Sequence, residues 1–138
     1  MLKTTLLHPE ILYALGAAGH GSTVLISDGN YPHTTGSNPA ATRVFLNLAP
    51  GVLTVTEILK VIAQAIPVES VNVMATADGS EPPIWAEFRD LLPANTLEPL
   101  GRFAFYDAAS KDNVALVIAS GEQRIYANIL LTIGVVMP

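Results

Sequence analysis

The sequence predicts one α/β domain in which helices pack on a mostly parallel or mixed sheet. Three observations carry that reading. Stretches with apolar residues at helical spacing alternate along the chain with short runs rich in β-branched residues. The 138 residues suffice for one core and leave no room for a second of ordinary size. Neither an internal repeat nor a linker divides residues 1–138, so the whole chain is read as a single domain.

Taken in order, Pro9 suits the first position of a helix, where its missing N–H would be unpaired anyway. Ile11, Leu12 and Leu15 then share a face, and Gly19 stands where a left-handed cap would end the helix. Thr23 to Ser27 (TVLIS) reads as a strand. Asp28 to Thr42 is dense in Gly, Pro, Asn and Thr, which propagate neither ladder nor helix; its centre, Pro32 to Pro39, reads equally as a lid or as inert surface. A second strand follows at Arg43 to Asn47. Thr54 and Glu57 form a T-x-x-E capping box for a second helix whose buried stripe is Val55, Ile58, Leu59, Ile62, Ala63 and Ile66. Val71 to Ala77 is expected as a strand, and Ser80 with Pro82 and Pro83 opens a helix that turns Ile84, Trp85, Phe88 and Leu91 inward. Pro93 to Gly101 is a connector with room for a short extended piece. A fourth helix starting near Arg102 carries Phe103, Tyr106 and Ala109. Val114 to Ala119 is a continuous apolar strand of the buried kind, Gly121 to Ala127 turns, and Asn128 to Val136 closes the chain as a strand.

Composition narrows the function classes. Charged residues make up 14% of the chain, against roughly 25% in an average soluble domain. Hydrophobic residues reach 50% and the mean hydropathy is +0.41. A monomer of this size buries only about 70% of its unfolded surface, so a homo-oligomer is expected. A net charge of −5 with no basic run argues against nucleic acid as a partner. The absence of cysteine excludes disulfides and thiolate chemistry and suits a reducing compartment. Apolar runs such as Val114 to Ala119 fall far short of the ~20 residues that cross a bilayer, and His8, Pro9 and Glu10 interrupt any signal-like start. A cytoplasmic protein without a membrane partner is the expectation.

Chemistry-bearing motifs are sparse. The glycines of GAAGHG (Gly16, Gly19, Gly21) follow a helix instead of opening one, the reverse of a dinucleotide fingerprint. Three histidines, His8, His20 and His33, lack metal-site spacing, and no metal is expected. His20 lies at a helix-to-strand junction where a side chain can face a cleft or simply cap a turn. Asp28 follows a strand end, the position where α/β sheets place ligand-binding groups, although Asp-Gly is as commonly a turn. Arg102, ahead of Phe103, Phe105 and Tyr106, reads as a hydroxyl or anion clamp or as a stem covering core. Tyr126 and Asn128, flanking Ala127, suit hydrogen bonding to a neutral polyol or the capping of a turn.

Several segments together carry a family resemblance: MLKT at the start, GHG at Gly19 to Gly21, SDGNYP at Ser27 to Pro32, RFAFY at Arg102 to Tyr106, and GEQRIYANILLTIGV at Gly121 to Val135. In order and over nearly the whole length, the chain resembles the D-ribose pyranase and L-fucose mutarotase family. Arg102 in RFAFY is similar to the fucose branch, whereas Tyr126 to Asn128 (YAN) is similar to the ribose branch and Ser22 departs from the Asp of many members. The resemblance implies a single three-layer α/β/α domain that interconverts the cyclic forms of a free monosaccharide, L-fucose-like or D-ribose-like, without a cofactor. It also implies His20 as proton donor, Asp28 as hydroxyl acceptor or partner base, and Arg102, Tyr126, Asn128 and, less strongly, Tyr106 as sugar-binding groups. A homo-oligomer, a decamer of stacked rings, is implied as well, and because the strand between His20 and Asp28 spans about 17 Å, active sites shared between subunits are expected if both residues touch one sugar. The competing class is a non-catalytic sugar-binding protein of sugar uptake, which needs the same hydroxyl-binding groups but no proton shuttle.

Overall fold

A computed structural model describes residues 1–138. Four helices and six strands run α1 (Pro9–Ala17), β1 (Thr23–Ser27), β2 (Thr42–Phe45), α2 (Val55–Ala65), β3 (Val68–Met74), α3 (Ile84–Leu91), β4 (Leu97–Leu100), α4 (Arg102–Ala109), β5 (Val114–Ala119) and β6 (Ile129–Ile133). They form one sheet in the order β2-β5-β1-β6-β3-β4. Only β6 runs against its neighbours; β2, β5 and β1 are parallel, as are β3 and β4. The sheet is therefore mixed, and the start of β6 shares an edge with the ends of β1, β3 and β4.

Strand alternation builds two cores. Val24, Ile26, Leu116, Ile118, Ile129, Leu131, Val71 and Val73 face α1, α2 and α3. Leu25, Val117, Leu130 and Met74 face α4 and the loop that follows β1. The register between β1 and β5 slips at Thr23/Val24, where Val114 and Leu116 oppose consecutive residues. That bulge explains why Val114 and Leu116, two apart, end on opposite faces.

The expected elements are present, with shifts that have local causes. Helix α1 ends at Ala18 in an extended conformation, not in a left-handed Gly19; the positive φ falls on Gly21 (82°), whose amide donates to Ile133 O at 2.9 Å. Strand β3 starts and stops three residues early, since Val68 and Ser70 pair with β6 while Asp78 draws Thr76 and Ser80 into a turn. Strand β6 is shorter than expected at both ends, because the Asn128 side chain is committed to Asp28 and Val135 and Val136 project into solvent. Of the three residues that the sequence reading names on α4, Ala109 is buried and Phe103 is 73% exposed, while Phe105, which it does not name there, is the buried aromatic. Helix α2 carries the full capping box of Thr54 and Glu57.

The Gly- and Pro-rich segment after β1 is tied down along its length. Arg43 donates to His33 O at 3.0 Å, to Asn38 O at 2.7 Å and to Ser37 Oγ at 2.8 Å. Tyr31 Oη donates to Gly36 O at 2.6 Å, and Asn38 Nδ2 to Val114 O at 2.9 Å. This loop is a wall built against β5 and α4.

Candidate functional site

Five of the six residues singled out in the sequence meet at one edge of the sheet. Asp28 directly follows β1, Asn128 directly precedes the antiparallel β6, and Arg102 opens α4 directly after β4. With Tyr106 and Tyr126 they line a cleft of ≈ 230 Å³ whose remaining walls are Asn30, Tyr31, Met74 and Ile125. The placement follows the general rule that open α/β sheets bind ligands beyond strand ends. A larger cavity of ≈ 520 Å³ lies across Gly29 and Asn30, but its one acid, Glu122, is already paired with Arg124.

Asp28 is the buried centre of the cleft, 3% exposed. Its Oδ1 accepts the Asn30 amide at 3.0 Å, and Oδ2 accepts the Ala127 amide at 3.2 Å and Asn128 Nδ2 at 3.0 Å. The Asp28 amide in turn donates to Asn128 Oδ1 at 2.8 Å, so the two side chains clasp each other reciprocally. Burial pushes the Asp28 carboxyl up from its ordinary value, while those hydrogen bonds pull the other way. Tyr31 stands behind it, its phenol pushed up by burial first and then by Tyr106 and Asp28.

Arg102 presents a cation without a carboxylate partner. Its Nε donates to Tyr106 Oη at 3.3 Å and its guanidinium carbon sits 5.7 Å from the ring centres of both Phe103 and Tyr106. None of the chain's ion pairs includes it, which leaves its remaining N–H groups free for ligand hydroxyls. Tyr126 has φ 59°, a left-handed conformation that a bulky side chain adopts only under constraint. Hydroxyl acceptors, amide donors, a free guanidinium and aromatic faces fit a small neutral polyol.

His20 lies elsewhere. It precedes β1 while Asp28 follows it, and a five-residue strand spans roughly 17 Å. Its Nε2 is 3.2 Å from Glu69 Oε2, at the opposite edge of the sheet, and both side chains are more than half exposed. A single chain thus holds a cleft without its expected proton donor, and a surface His–Glu pair without a cleft. Sequence reasoning missed Glu69, because the strand containing it was expected to begin only at Val71. It also passed over Asn30, Tyr31 and Met74; the first two sit within the SDGNYP segment already singled out, and Met74 at a strand end.

Comparison with known proteins gives a consistent picture. The sequence matches the model of the "RbsD / FucU transport protein family" over residues 1–136. It is 30% identical to a fucose mutarotase of Danio rerio over 147 aligned positions, covering 97% of this chain and 92% of that protein. It is 33% identical to a D-ribose pyranase of Variovorax paradoxus, covering 98% of each. The crystal structure of the fucose mutarotase from Streptococcus pneumoniae in complex with L-fucose superposes with a TM-score of 0.82 at 27% identity, over 99% of this chain and 100% of that one.

Proposed function

The chain belongs to the RbsD / FucU family, and from that premise we propose that it is a sugar mutarotase, interconverting the anomers or ring forms of a free monosaccharide that resembles L-fucose or D-ribose. One observation supports this reading above the others. Asp28, Arg102, Tyr106, Tyr126 and Asn128, chosen from the sequence, converge on one small polar cleft.

Chemically, the anomeric hydroxyl of a hemiacetal loses a proton while the ring oxygen gains one; the opened aldehyde rotates and recloses on its other face. Both changes are proton transfers, and the residues of the chain suffice for them. Asp28 and Asn128 hold sugar hydroxyls from the cleft floor. Arg102 donates to a hydroxyl or the ring oxygen, and Tyr126 and Tyr106 orient the ring. His20 is the proton donor, and imidazole is suited to give and take protons near neutral pH. Since His20 and the cleft lie at opposite edges of the sheet, the donor comes from a second copy of the chain, with Glu69 beside it.

A homo-oligomer, read here as a decamer, supplies that neighbour. Leu48, Phe103, Tyr13 and Val136 are exposed large apolar side chains of the kind that an assembly covers. No helix is long and apolar enough to cross a membrane, and a cytoplasmic site of action suits an enzyme of free sugars without cysteine. Magnetisation-exchange NMR between anomers tests the reading. Exchange of L-fucose or D-ribose faster than in buffer is expected; buffer rates across both sugars and their close relatives would leave only the non-catalytic sugar-binding alternative.

A further inference from the structure

The turn that carries Tyr126 has little backbone support. The amides of Gln123, Arg124, Ile125 and Tyr126 donate to no backbone carbonyl. The Arg124 amide donates instead to a side chain, Glu122 Oε1, at 3.1 Å. Glu122 is a buried carboxylate, 3% exposed, with no part in the chemistry above.

Around it the contacts are dense. Glu122 Oε1 accepts Arg124 Nε and Oε2 accepts Arg124 Nη2, each at 2.9 Å, so carboxylate and guanidinium meet fork to fork. Oε2 also accepts the amide of Val55, the first residue of α2, at 3.3 Å. Arg124 Nη1 reaches Glu87 on α3. Burial alone would raise the Glu122 carboxyl, but the Arg124 hydrogen bonds outweigh it and hold the group below its ordinary value. An ionised, satisfied carboxylate thereby fastens the turn to two helices.

On the other side of Tyr126, the Ala127 amide and Asn128 Nδ2 both end on Asp28 Oδ2. Tyr126 is thus held from both directions in its left-handed conformation. We infer that Glu122, acting through Arg124, is a positioning residue that holds Tyr126 in place and so fixes one wall of the cleft. The consequence for sugar binding rests on the mutarotase reading; the consequence for the turn does not.

Two readouts in the full-length protein separate these. Arg124→Ala removes the fork, Arg124→Lys keeps the charge with one contact, and Arg89→Ala breaks the exposed pair between Arg89 on α3 and Glu81 just before that helix as a control. Hydrogen–deuterium exchange should lose protection at the two hydrogen-bonded amides of the turn, those of residues 124 and 127, in Arg124→Ala, with most of it recovered in Arg124→Lys and none lost in Arg89→Ala. The KM for the sugar should rise about tenfold in Arg124→Ala while kcat changes less, as expected of a displaced binding wall. Unchanged exchange at the amides of residues 124 and 127 in folded Arg124→Ala overturns the inference whatever the sugar result. Lost protection with unchanged KM overturns its link to the cleft. If the wild type catalyses no anomer exchange, the mutarotase reading fails, and the exchange protection still decides whether Glu122 and Arg124 hold the turn.

Discussion

Burial divides the labour among single side chains. Asp28 is enclosed by three N–H donors and suits binding and orientation, whereas His20 is open to solvent, where a proton can be exchanged with a ligand and then with water. His20→Ala should therefore lose roughly 10² to 10⁴-fold in exchange rate while sugar affinity stays within a few-fold, because a proton shuttle matters in the transition state more than in the ground state. NMR exchange rates set beside a binding titration check this; an unchanged rate removes His20 from catalysis. His33 offers a separate test at the same scale. Its Nδ1 is 2.8 Å from Ser27 Oγ, its ring packs edge-on against Phe45, and burial lowers its pKa. As pH falls below the ordinary histidine value of about 6.5, the unfolded chain takes up the proton before the folded one does. The stabilisation is complete above that value and is lost as pH falls through the lower folded value. Urea midpoints should therefore drop on acidification from about pH 7 to about 5.5 in the wild type, and drop less in His33→Asn.

Among the elements, α2 is the one whose start is written most fully in the sequence. Thr54 Oγ1 accepts the Glu57 amide at 3.3 Å and the Thr54 amide donates to Glu57 Oε2 at 2.8 Å, so two otherwise unpaired donors are met. Thr54→Ala should cost about 1 kcal/mol of stability, read from urea denaturation, with exchange activity retained because Thr54 lines no part of the cleft. A loss of activity without a loss of stability would contradict that separation. Elements without such local signals moved more. The edges of β3 and β6 follow from their pairing with each other, and α4 turned Phe105 inward over Phe103 because the sheet beneath it sets which face is covered. Strands β1 and β5 lie where the sequence put them, since turn residues on either side of a continuous apolar run mark where the strand begins and ends.

For the whole molecule, the proposed pairing of His20 with a cleft at the other end of β1 would make assembly part of the chemistry. Sedimentation should show a homo-oligomer at micromolar concentration, and a 14.6 kDa species alone would contradict it. Mixing the inactive variants His20→Ala and Asp28→Asn after dissociation and reassembly should restore part of the activity, since some interfaces then pair an intact His20 with an intact Asp28. Persistent inactivity in verified mixed oligomers would count for a site completed within one chain.

The sequence by itself determined the α/β class, the order of the elements and the capping of α2, because caps, turns and periodicity act between neighbours a few residues apart; five of the cleft residues came from the family resemblance that the sequence carries. It did not determine that β6 enters antiparallel between β1 and β3, an arrangement that brings Asn128 to Asp28 across 100 residues of chain. Nor did it show that Asp28 is buried, that Tyr126 is left-handed, or that His20 faces Glu69 at the far edge. Those facts depend on strand pairing and on which faces the helices cover. The free energy that selects them is shared among distant residues and leaves no mark on any one segment.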